Sequence, residues 1–247
     1  MTENEQAQQK VAMVIVAHAD DAEFGAGGTV ASWVQDGWDV YYVVCTDGGG
    51  GGPDDATDVS QTARERIIET RVREQRAAGA VLGLKDVIFL GYPDGQLEPT
   101  LELRQQLVRM MRRYQPARIV CQSPDFTWTS QLAIRRYHPD HMAAGRATLE
   151  AVYPASQNPW AFPQLFEEEG LKPHKVSEIY IMGAPVVNYG VDITSTIEKK
   201  CAALQGHDSQ LGDHISELET RLRGWAGEVG KKYGYSYAEE FHRTENN

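Results

Sequence analysis

The chain has 247 residues, of which 41% are hydrophobic and 24% are charged, and its formal net charge is −11. This length and composition suit one soluble globular domain with a sizeable core. The acidic balance argues against binding to nucleic acid or to an anionic membrane surface, and no apolar run approaches the ~20 residues of a membrane span.

Residues 1–10 are polar and lack the apolar stretch of a secretory signal, so we expect a flexible N-terminus and a cytoplasmic protein. Cys45, Cys121 and Cys201 are an odd number of cysteines, and two of them lie in apolar runs. This usage favours buried, reduced thiols over disulfides. A thiol nucleophile is disfavoured because no histidine adjoins any of the three.

Strand and helix patterns alternate in the first part of the chain. The apolar runs are rich in β-branched residues and do not clearly alternate with polar ones, which is typical of strands in a parallel sheet covered on both faces. The second helix begins after a capping residue, Ser60, and ends at Gly83. In chain order, the predicted elements are a strand at residues 11–17, a helix at 24–35, a strand at 40–45, a helix at 60–82 and a strand at 87–90.

The same alternation continues to the end of the chain. The last helix carries apolar side chains at helical spacing, which favours a core or subunit-interface stripe over a ligand site. In chain order, the elements are a helix after Thr100 that ends before Pro116, a strand at residues 118–121, a proline-rich surface loop at 154–173, a strand at 179–182 and a helix with Leu211, Ile215, Leu218, Leu222 and Trp225.

This pattern predicts one α/β domain over residues 1–247, a Rossmann-like doubly wound fold with a mostly parallel sheet. No internal repeat or linker divides the chain. In such folds ligands bind beyond the carboxyl ends of the strands. Polar residues directly after a predicted strand are therefore candidates for a functional site.

Ionisable side chains do follow four of the predicted strands. Their common placement at one sheet edge is stronger evidence for a site than any one of them alone. They are His18, Asp20 and Asp21 after the first strand, Asp47 after the second, Asp94 after the third, and Asp125, His138, Asp140 and His141 after the fourth.

Metal binding is the first chemistry that this set suggests. His18 and Asp21 are three residues apart near a helix start, so both can point one way. His138 and His141 have the same spacing, and Pro139 suits the first position of a helix. Two imidazoles, one carboxylate and an open position fit a catalytic zinc site, and equally a non-haem iron site. Spacing does not decide whether His138 or His141 is the ligand. The simpler alternative to a metal site is that both are surface histidines at the start of a helix.

The remaining groups fit metal-assisted amide hydrolysis. Bound Zn²⁺ lowers the pKa of its water to about 7, and Asp20 can take the proton. A protonated histidine can stabilise the oxyanion of the tetrahedral intermediate, and Asp140 can orient His138. The plainer role for Asp20 is a helix N-cap, which does not exclude the other.

Five motifs in order resemble those of the LmbE-like, or PIG-L, family of zinc-dependent de-N-acetylases, which remove acetyl groups from N-acetylglucosamine units. After "AHADD" come "TDGG", "RVRE", "FLGYPDG", "HPDH" and "HDSQ". The resemblance implies a small amino-sugar conjugate as substrate and a homo-oligomer. It implies Zn²⁺ as the cofactor, with Fe²⁺ as an alternative in the same site.

The resemblance also implies roles for individual residues. By position, the general base is Asp20, and the oxyanion-stabilising histidine is His138, supported by Asp140. The metal ligands implied in this way are His18, Asp21 and His141. The residues implied, less specifically, to line the sugar pocket are Arg71, Asp94 and Asp125.

Two features depart from the family pattern. Ala19 stands where the family usually has proline, which leaves the rigidity of that turn open. The glycines at 48–52 form a looser run than the family norm, and an active-site flap and an ordinary surface loop are both consistent with them.

Other functions remain as alternatives. Gly25 to Gly28 resemble a dinucleotide fingerprint, but Val30 replaces the third glycine and the acidic turn would repel a pyrophosphate. An iron(II) oxygenase could use the same three ligands, but such sites usually lie on antiparallel barrels, whereas this sequence predicts a parallel sheet. A related amide, in an antibiotic or a thiol conjugate, is the nearer alternative substrate. A family member without activity is disfavoured because the candidate catalytic set is complete.

Overall fold

The computed structural model describes residues 10–126, 128, 134, 137–212 and 215–247, without the side chains of residues 215 and 216. The N-terminal segment expected to be flexible lies outside the described residues, except for Lys10. The strands are β1 (Val11–Val16), β2 (Asp39–Thr46), β3 (Asp86–Tyr92), β4 (Arg118–Gln122), β5 (Glu178–Met182), β6 (Tyr189–Asp192) and β7 (Ala238–Glu245).

These strands form one sheet in the order β3-β2-β1-β4-β5-β7-β6. Strands β1 to β5 pair in parallel, and β7 pairs antiparallel with both β5 and β6. The sheet is thus mostly parallel, as predicted. The helices are α1 (Asp21–Gln35), α2 (Gln61–Leu82), α3 (Leu101–Tyr114), α4 (Pro139–Glu150), α5 (Pro163–Glu167), α6 (Ile197–Leu204), α7 (Asp208–Leu211) and α8 (Ile215–Tyr233).

Burial of β1 on both faces explains its unbroken apolar run. Met13 and Ile15 pack in one core with α3 and α4, whereas Val14 and Val16 pack in a second core with α1 and α2. Helices on both faces of a mostly parallel sheet are the arrangement of a Rossmann-like fold. The predicted fold class is therefore confirmed.

Strand β6, at one edge of the sheet, and its neighbour β7 are absent from the sequence prediction. β7 reads "AEEFHRTE", in which the buried Ala238 and Phe241 lie among charged side chains, and β6 has only 4 residues. Antiparallel strands can leave one face to solvent, so they lack the continuous apolar run of a central parallel strand. The search for apolar runs therefore missed them.

The predicted helix boundaries follow from caps that the structure contains. Ser60 Oγ and Thr100 Oγ1 each accept a backbone N–H three residues later, at 3.2 Å. Gly83 ends α2 in the left-handed conformation, with φ 85°. In the late stripe, Leu218 and Leu222 are buried, whereas Trp225 is 59% exposed.

The proline-rich stretch is not the plain surface loop that we expected. It begins at a kink, where the backbone of Tyr153 is extended, and it contains the short helix α5, in which Leu165 is fully buried. Arg112 of α3, 2% exposed, donates to four backbone carbonyls of this stretch. These bonds satisfy carbonyls that would otherwise be buried without donors, so the stretch can pack against the core.

The sheet order places a topological switch point between β1 and β4. The chain runs outward from β1 through β2 to β3 and then crosses to β4 on the other side. Ligands in this class of fold bind at the carboxyl ends of the strands at that point. None of the described helices has the length and apolar character needed to cross a bilayer. All three cysteines are free and buried, as predicted.

Candidate active site

The turn after β1 is anchored by its two neighbouring strands. Ala17 donates its N–H to Gln122 Oε1 of β4 at 2.9 Å, and its carbonyl accepts from Thr46 of β2. The next N–H, that of His18, donates to Asp21 Oδ2 at 2.8 Å. These bonds fix the direction in which the polar residues leave the sheet.

His18, Asp21 and His141 meet at the switch point. His18 Nδ1 lies 3.2 Å from His141 Nε2 and 3.5 Å from Asp21 Oδ2. His141 Nε2 lies 3.1 Å from Asp21 Oδ1. Pro139 occupies the first turn of α4, as predicted, and this places His141 in the same turn.

The separation of these donor atoms suits a tetrahedral metal ion. Ligands at zinc bond lengths of ~2.0–2.1 Å in a tetrahedron lie about 3.3 Å from one another. The three observed separations fall on either side of that value. The nitrogen and oxygen donors are those that Zn²⁺ and Fe²⁺ both accept, so the residues fit a metal ion without identifying it.

The second nitrogen of His18 faces two carboxylates. Its Nε2 lies 3.0 Å from Asp94 Oδ1 and 3.2 Å from Asp140 Oδ2. Asp140 is fully buried and also accepts the N–H groups of Gly95 at 2.7 Å and Leu97 at 3.1 Å. A carboxylate that holds the far nitrogen of a histidine is the usual support of a metal-binding imidazole.

This contact differs from the role expected for Asp140. The expectation was that its carboxylate orients His138, but its hydrogen bonds run to His18 and to the loop after β3. His138 is instead reached by the backbone of Asp140, whose N–H donates to His138 Nδ1 at 3.2 Å. The side chain of Asp140 is too tightly held by the loop to turn towards His138.

The site carries excess negative charge. Although burial opposes it, pairing with Asp21 and Asp94 raises the pKa of His18 to about 10. Despite its burial, bonds to His141 and His18 hold the pKa of Asp21 well below its usual range. A site that draws a proton onto His18 so strongly is one that favours a bound cation.

His138 completes a group of three histidines. Its ring centroid lies 4.7 Å from that of His18 and 5.1 Å from that of His141. Burial and the charges of these two histidines lower the pKa of His138. Because Nδ1 accepts the Asp140 N–H, the neutral ring carries its proton on Nε2 and remains a hydrogen-bond donor.

Asp20 occupies the N-cap position of α1, but its side chain makes no capping bond. Its Oδ2 lies 3.2 Å from Arg71 Nη1, and Arg71 Nη2 donates to the Ala19 carbonyl at 2.7 Å. Burial and the neighbouring charge of Asp21 raise the pKa of Asp20 to about 6, against the opposing charge of Arg71. The side chain is thus a half-buried carboxylate next to the candidate metal ligands His18, Asp21 and His141.

The three residues expected to line the sugar pocket have different surroundings. Arg71 is 5% exposed and engaged with the turn at Ala19 and Asp20. Asp94 faces His18 and accepts the Gly50 N–H at 2.9 Å. Asp125 is exposed and lines a cleft. Among the three, the cleft lining includes Asp125 alone.

This cleft has a volume of about 320 Å³, and its lining includes Asp21 and His141, two of the candidate metal ligands. Tyr137, Met182 and Trp225 give it an apolar wall. The sequence reading missed Trp225 as a site residue because it lies on the same helical stripe as the buried leucines of α8. Its 59% exposure separates it from them and needs the folded structure to be seen.

The glycine run is tied to the site. Gly50 donates to Asp94 Oδ2, and Gly51 accepts a bond from Gln210 Nε2 at 2.8 Å. Gln210 belongs to the late motif "HDSQ", whose function the sequence did not reveal. The run is therefore held at both a site carboxylate and α7.

Comparison with known proteins follows this geometry. The family model described as "PIG-L: GlcNAc-PI de-N-acetylase" matches residues 13–152. A diacetylchitobiose deacetylase of Thermococcus kodakarensis is 32% identical over 93% of this chain and 81% of that protein. A probable N-acetyl-alpha-D-glucosaminyl L-malate deacetylase 2 of Bacillus anthracis is 27% identical over 84% of each. The structure of N,N'-diacetylchitobiose deacetylase from Pyrococcus horikoshii, in complex with its inhibitor MPG, superposes with a TM-score of 0.83 at 32% identity, covering 96% of this chain and 84% of that one.

Proposed function

This chain belongs to the PIG-L family, in agreement with its sequence motifs, and on that premise we propose that it is a metal-dependent deacetylase of an N-acetylglucosamine-type conjugate. The proposal is supported by the names of the three relatives given above, each of which is described as a deacetylase or probable deacetylase of an amino-sugar compound. The observation that carries the proposal is that His18 Nδ1 and His141 Nε2 lie 3.2 Å apart beside a cleft, and that each lies within 3.5 Å of one oxygen of the Asp21 carboxylate.

His18 Nδ1, Asp21 and His141 Nε2 hold the metal in this proposal, and Asp140 holds His18 in orientation through Nε2. A bound Zn²⁺ supplies Lewis acidity and lowers the pKa of a coordinated water to about 7. Zinc is the proposed native ion because the donor set fits it and the family resemblance implies it. Fe²⁺ accepts the same donors.

Asp20 is the proposed general base. It adjoins the ligand Asp21 in sequence, and consecutive residues point in different directions, so one can face the metal while the other faces the water. Arg71 supports this role by holding the Asp20 carboxylate through an ion pair at 3.2 Å. A proton taken by the Asp20 carboxylate from the attacking water then passes to the leaving amine, which departs as the free amino sugar while the acetyl group leaves as acetate.

His138 is the proposed oxyanion stabiliser. Its Nδ1 is occupied by the Asp140 N–H, so the Nε2–H remains available to donate to the carbonyl oxygen of the acetyl group as charge develops there. A neutral imidazole suffices for this donation. The expected protonated histidine is therefore not required.

The proposed substrate is a small conjugate whose sugar enters the 320 Å³ cleft. Tyr137 and Trp225 offer the apolar faces against which sugar rings commonly stack. A disaccharide is favoured over other conjugates because the relative with 32% identity is a diacetylchitobiose deacetylase. The three free, buried thiols support a cytoplasmic location, and the family resemblance supports a homo-oligomer.

A fluorescamine assay for released amines tests the proposal. The panel comprises N,N'-diacetylchitobiose, N-acetylglucosaminyl malate, N-acetylglucosaminyl inositol and free N-acetylglucosamine, each with Zn²⁺ or Fe²⁺ and with neither. We expect metal-dependent amine release, greatest with the disaccharide. Asp20→Asn should lose most turnover while keeping the metal. Asp36→Asn, the same change at the exposed far end of α1, should keep both turnover and the metal. No release from any conjugate with either metal would contradict the proposal.

A further inference from the structure

The backbone of Asp20 adopts a conformation that needs support. Its φ of 81° lies in the left-handed region, which any residue other than glycine occupies at a cost of about 1–3 kcal/mol. Such a conformation persists only where neighbouring groups hold it. The groups that hold it therefore determine where the Asp20 carboxylate lies.

Two side chains of α2 hold this turn. Arg71 donates to the Ala19 carbonyl at 2.7 Å, and Gln75, one helical turn later, accepts the Asp20 N–H through Oε1 at 2.9 Å. Gln75 is fully buried. Both the carbonyl oxygen and the N–H of the peptide bond between residues 19 and 20 are thus hydrogen-bonded to side chains on one face of α2.

The orientation of the Gln75 amide is fixed from behind. Its Nε2 donates to Glu23 Oε1 at 2.7 Å. If the amide turned over, its NH₂ group would face the Asp20 N–H and its oxygen would face a carboxylate, which are two repulsive contacts. Glu23 therefore ensures that Gln75 presents an acceptor to Asp20.

Glu23 is itself confined. It is fully buried on α1, and its other oxygen, Oε2, has no hydrogen-bond partner among the described residues but faces His207 Nε2 at 3.6 Å. His207 is fully buried as well. Neither residue lines the cleft, so the arrangement has no direct access to a substrate.

We propose that Gln75, held in one orientation by Glu23, is a positioning residue for Asp20, so that proton transfer depends on a buried side-chain pair outside the cleft. This inference rests on the proposed function of Asp20 as the base. Neither side chain touches the reacting atoms. Their effect passes through the Asp20 N–H and the strained φ of that residue.

Gln75→Met tests this directly, because methionine has a similar size and offers Asp20 no comparable acceptor. We expect kcat to fall about tenfold to a hundredfold, as for a misplaced catalytic group. KM and the metal affinity measured by titration without substrate should stay within about twofold. Hydrogen–deuterium exchange of a peptide covering residues 17–23 should quicken, because the Asp20 N–H loses its partner.

A pair of exchanged side chains separates positioning from general damage. Gln75→Glu alone places two carboxylates together and should lower kcat. Glu23→Gln combined with Gln75→Glu restores one donor and one acceptor with their positions exchanged, and it leaves an oxygen for the Asp20 N–H. We expect this double variant to recover kcat to within about threefold of the wild type, by analogy with coupled pairs in double-mutant cycles.

Glu239→Gln is the matched control. Glu239 is a buried carboxylate that accepts the Gly28 and Thr29 N–H groups of the same helix that carries Glu23, but it makes no contact with Asp20. We expect the Glu239→Gln variant to have a lower Tm than the wild type and an unchanged kcat. If Gln75→Met likewise lowers only Tm, or if the exchanged pair does not recover kcat, the inference is wrong.

The Asp20→Asn background distinguishes this inference from the proposed function. If Asp20 is the base, Asp20→Asn removes most turnover, and adding Gln75→Met should lower kcat no further. A further tenfold loss in that background would show that Gln75 acts elsewhere and would overturn the inference alone. Full turnover by Asp20→Asn would instead overturn the assignment of the base.

Discussion

His18 Nδ1 and His141 Nε2 lie 3.2 Å apart although 123 positions separate them in the chain. One nitrogen comes from the turn after β1 and the other from the first turn of α4, on the two sides of the switch point. Two ring nitrogens this close, with the Asp21 carboxylate beside both, are well placed to share a bound cation.

Metal removal should therefore destabilise the protein as well as inactivate it. A metal that binds only the folded state contributes about 2.7 kcal/mol at 100 times its dissociation constant, so chelation should lower Tm by several degrees. His141→Ala should lose both the metal and this shift. His242→Ala should keep both, because His242 lies on β7 and its Nδ1 pairs with the carbonyl of Val186, in the loop before β6. A chelator that leaves the wild-type Tm and activity unchanged would contradict the metal site.

Asp140→Asn should weaken metal binding. The Asp140 carboxylate bonds to His18 Nε2, and loss of such a supporting carboxylate typically costs 10–100-fold in metal affinity. Competition with a chromogenic chelator measures the metal affinity. The value of kcat at saturating metal measures any effect of the substitution on catalysis itself. Unchanged affinity with a large loss of kcat would favour the role expected from the sequence, in which Asp140 acts on His138.

Much of the fold follows from local patterns in the sequence. β1 is unbroken and apolar because both its faces are covered, and Ser60 and Thr100 cap helices through bonds to residues three positions later. The helix caps depend on neighbours within a few residues, and the burial of β1 is visible in its own sequence as a continuous apolar run. They also place the polar turns at one sheet edge, where the structure brings His18, Asp21 and His141 together.

The remaining features depend on contacts between distant parts of the chain. The carboxylate of Asp140 contacts His18 and not His138 because the loop after β3 holds it through the N–H groups of Gly95 and Leu97. In the sequence, Gln75 is an ordinary polar residue of a helix. Its contact with Asp20 exists only because α1 packs against α2 in the folded protein. Trp225 shares its helical face with buried leucines. No spacing rule within the sequence distinguishes these cases.

Stability should depend on pH through His174. Its Nε2 lies 2.8 Å from the Pro116 carbonyl, and burial lowers the pKa of His174 below its ordinary value of 6.5. Between the folded-state pKa and 6.5 the unfolded chain binds more protons, so the free energy of unfolding rises with pH across that interval. Stability is thus present above pH 6.5 and is lost as the pH falls towards the lowered pKa.

Urea denaturation of the metal-free protein between pH 5 and pH 7.5 measures this effect. His174→Gln cannot titrate in this range, so its free energy of unfolding should fall less than that of the wild type as the pH is lowered. Parallel curves for the two proteins would show that His174 does not contribute.

Gly145→Ala should disturb the site through the backbone. Gly145 lies on α4, one turn after His141, where the helix packs directly on the end of β4. An added Cβ would overlap the Gln122 carbonyl oxygen and lie 2.9 Å from its carbon, and both atoms belong to the backbone. Because a strand at the centre of the sheet cannot yield easily, α4 must shift, at a cost of about 1–3 kcal/mol. His141 moves with α4 and away from His18, so metal affinity should fall together with Tm.

Gly224→Ala is the control for this change. Gly224 also lies within a helix, α8, but its added Cβ meets no atom within 4 Å. There alanine should stabilise by about 0.5–1 kcal/mol, because it reduces the backbone entropy of the unfolded chain. The two variants are made by the same chemical change, so opposite signs in Tm would isolate the contact between α4 and β4 as the cause. Equal metal affinity in Gly145→Ala and the wild type would show instead that the first turn of α4 adjusts independently of the rest of the helix.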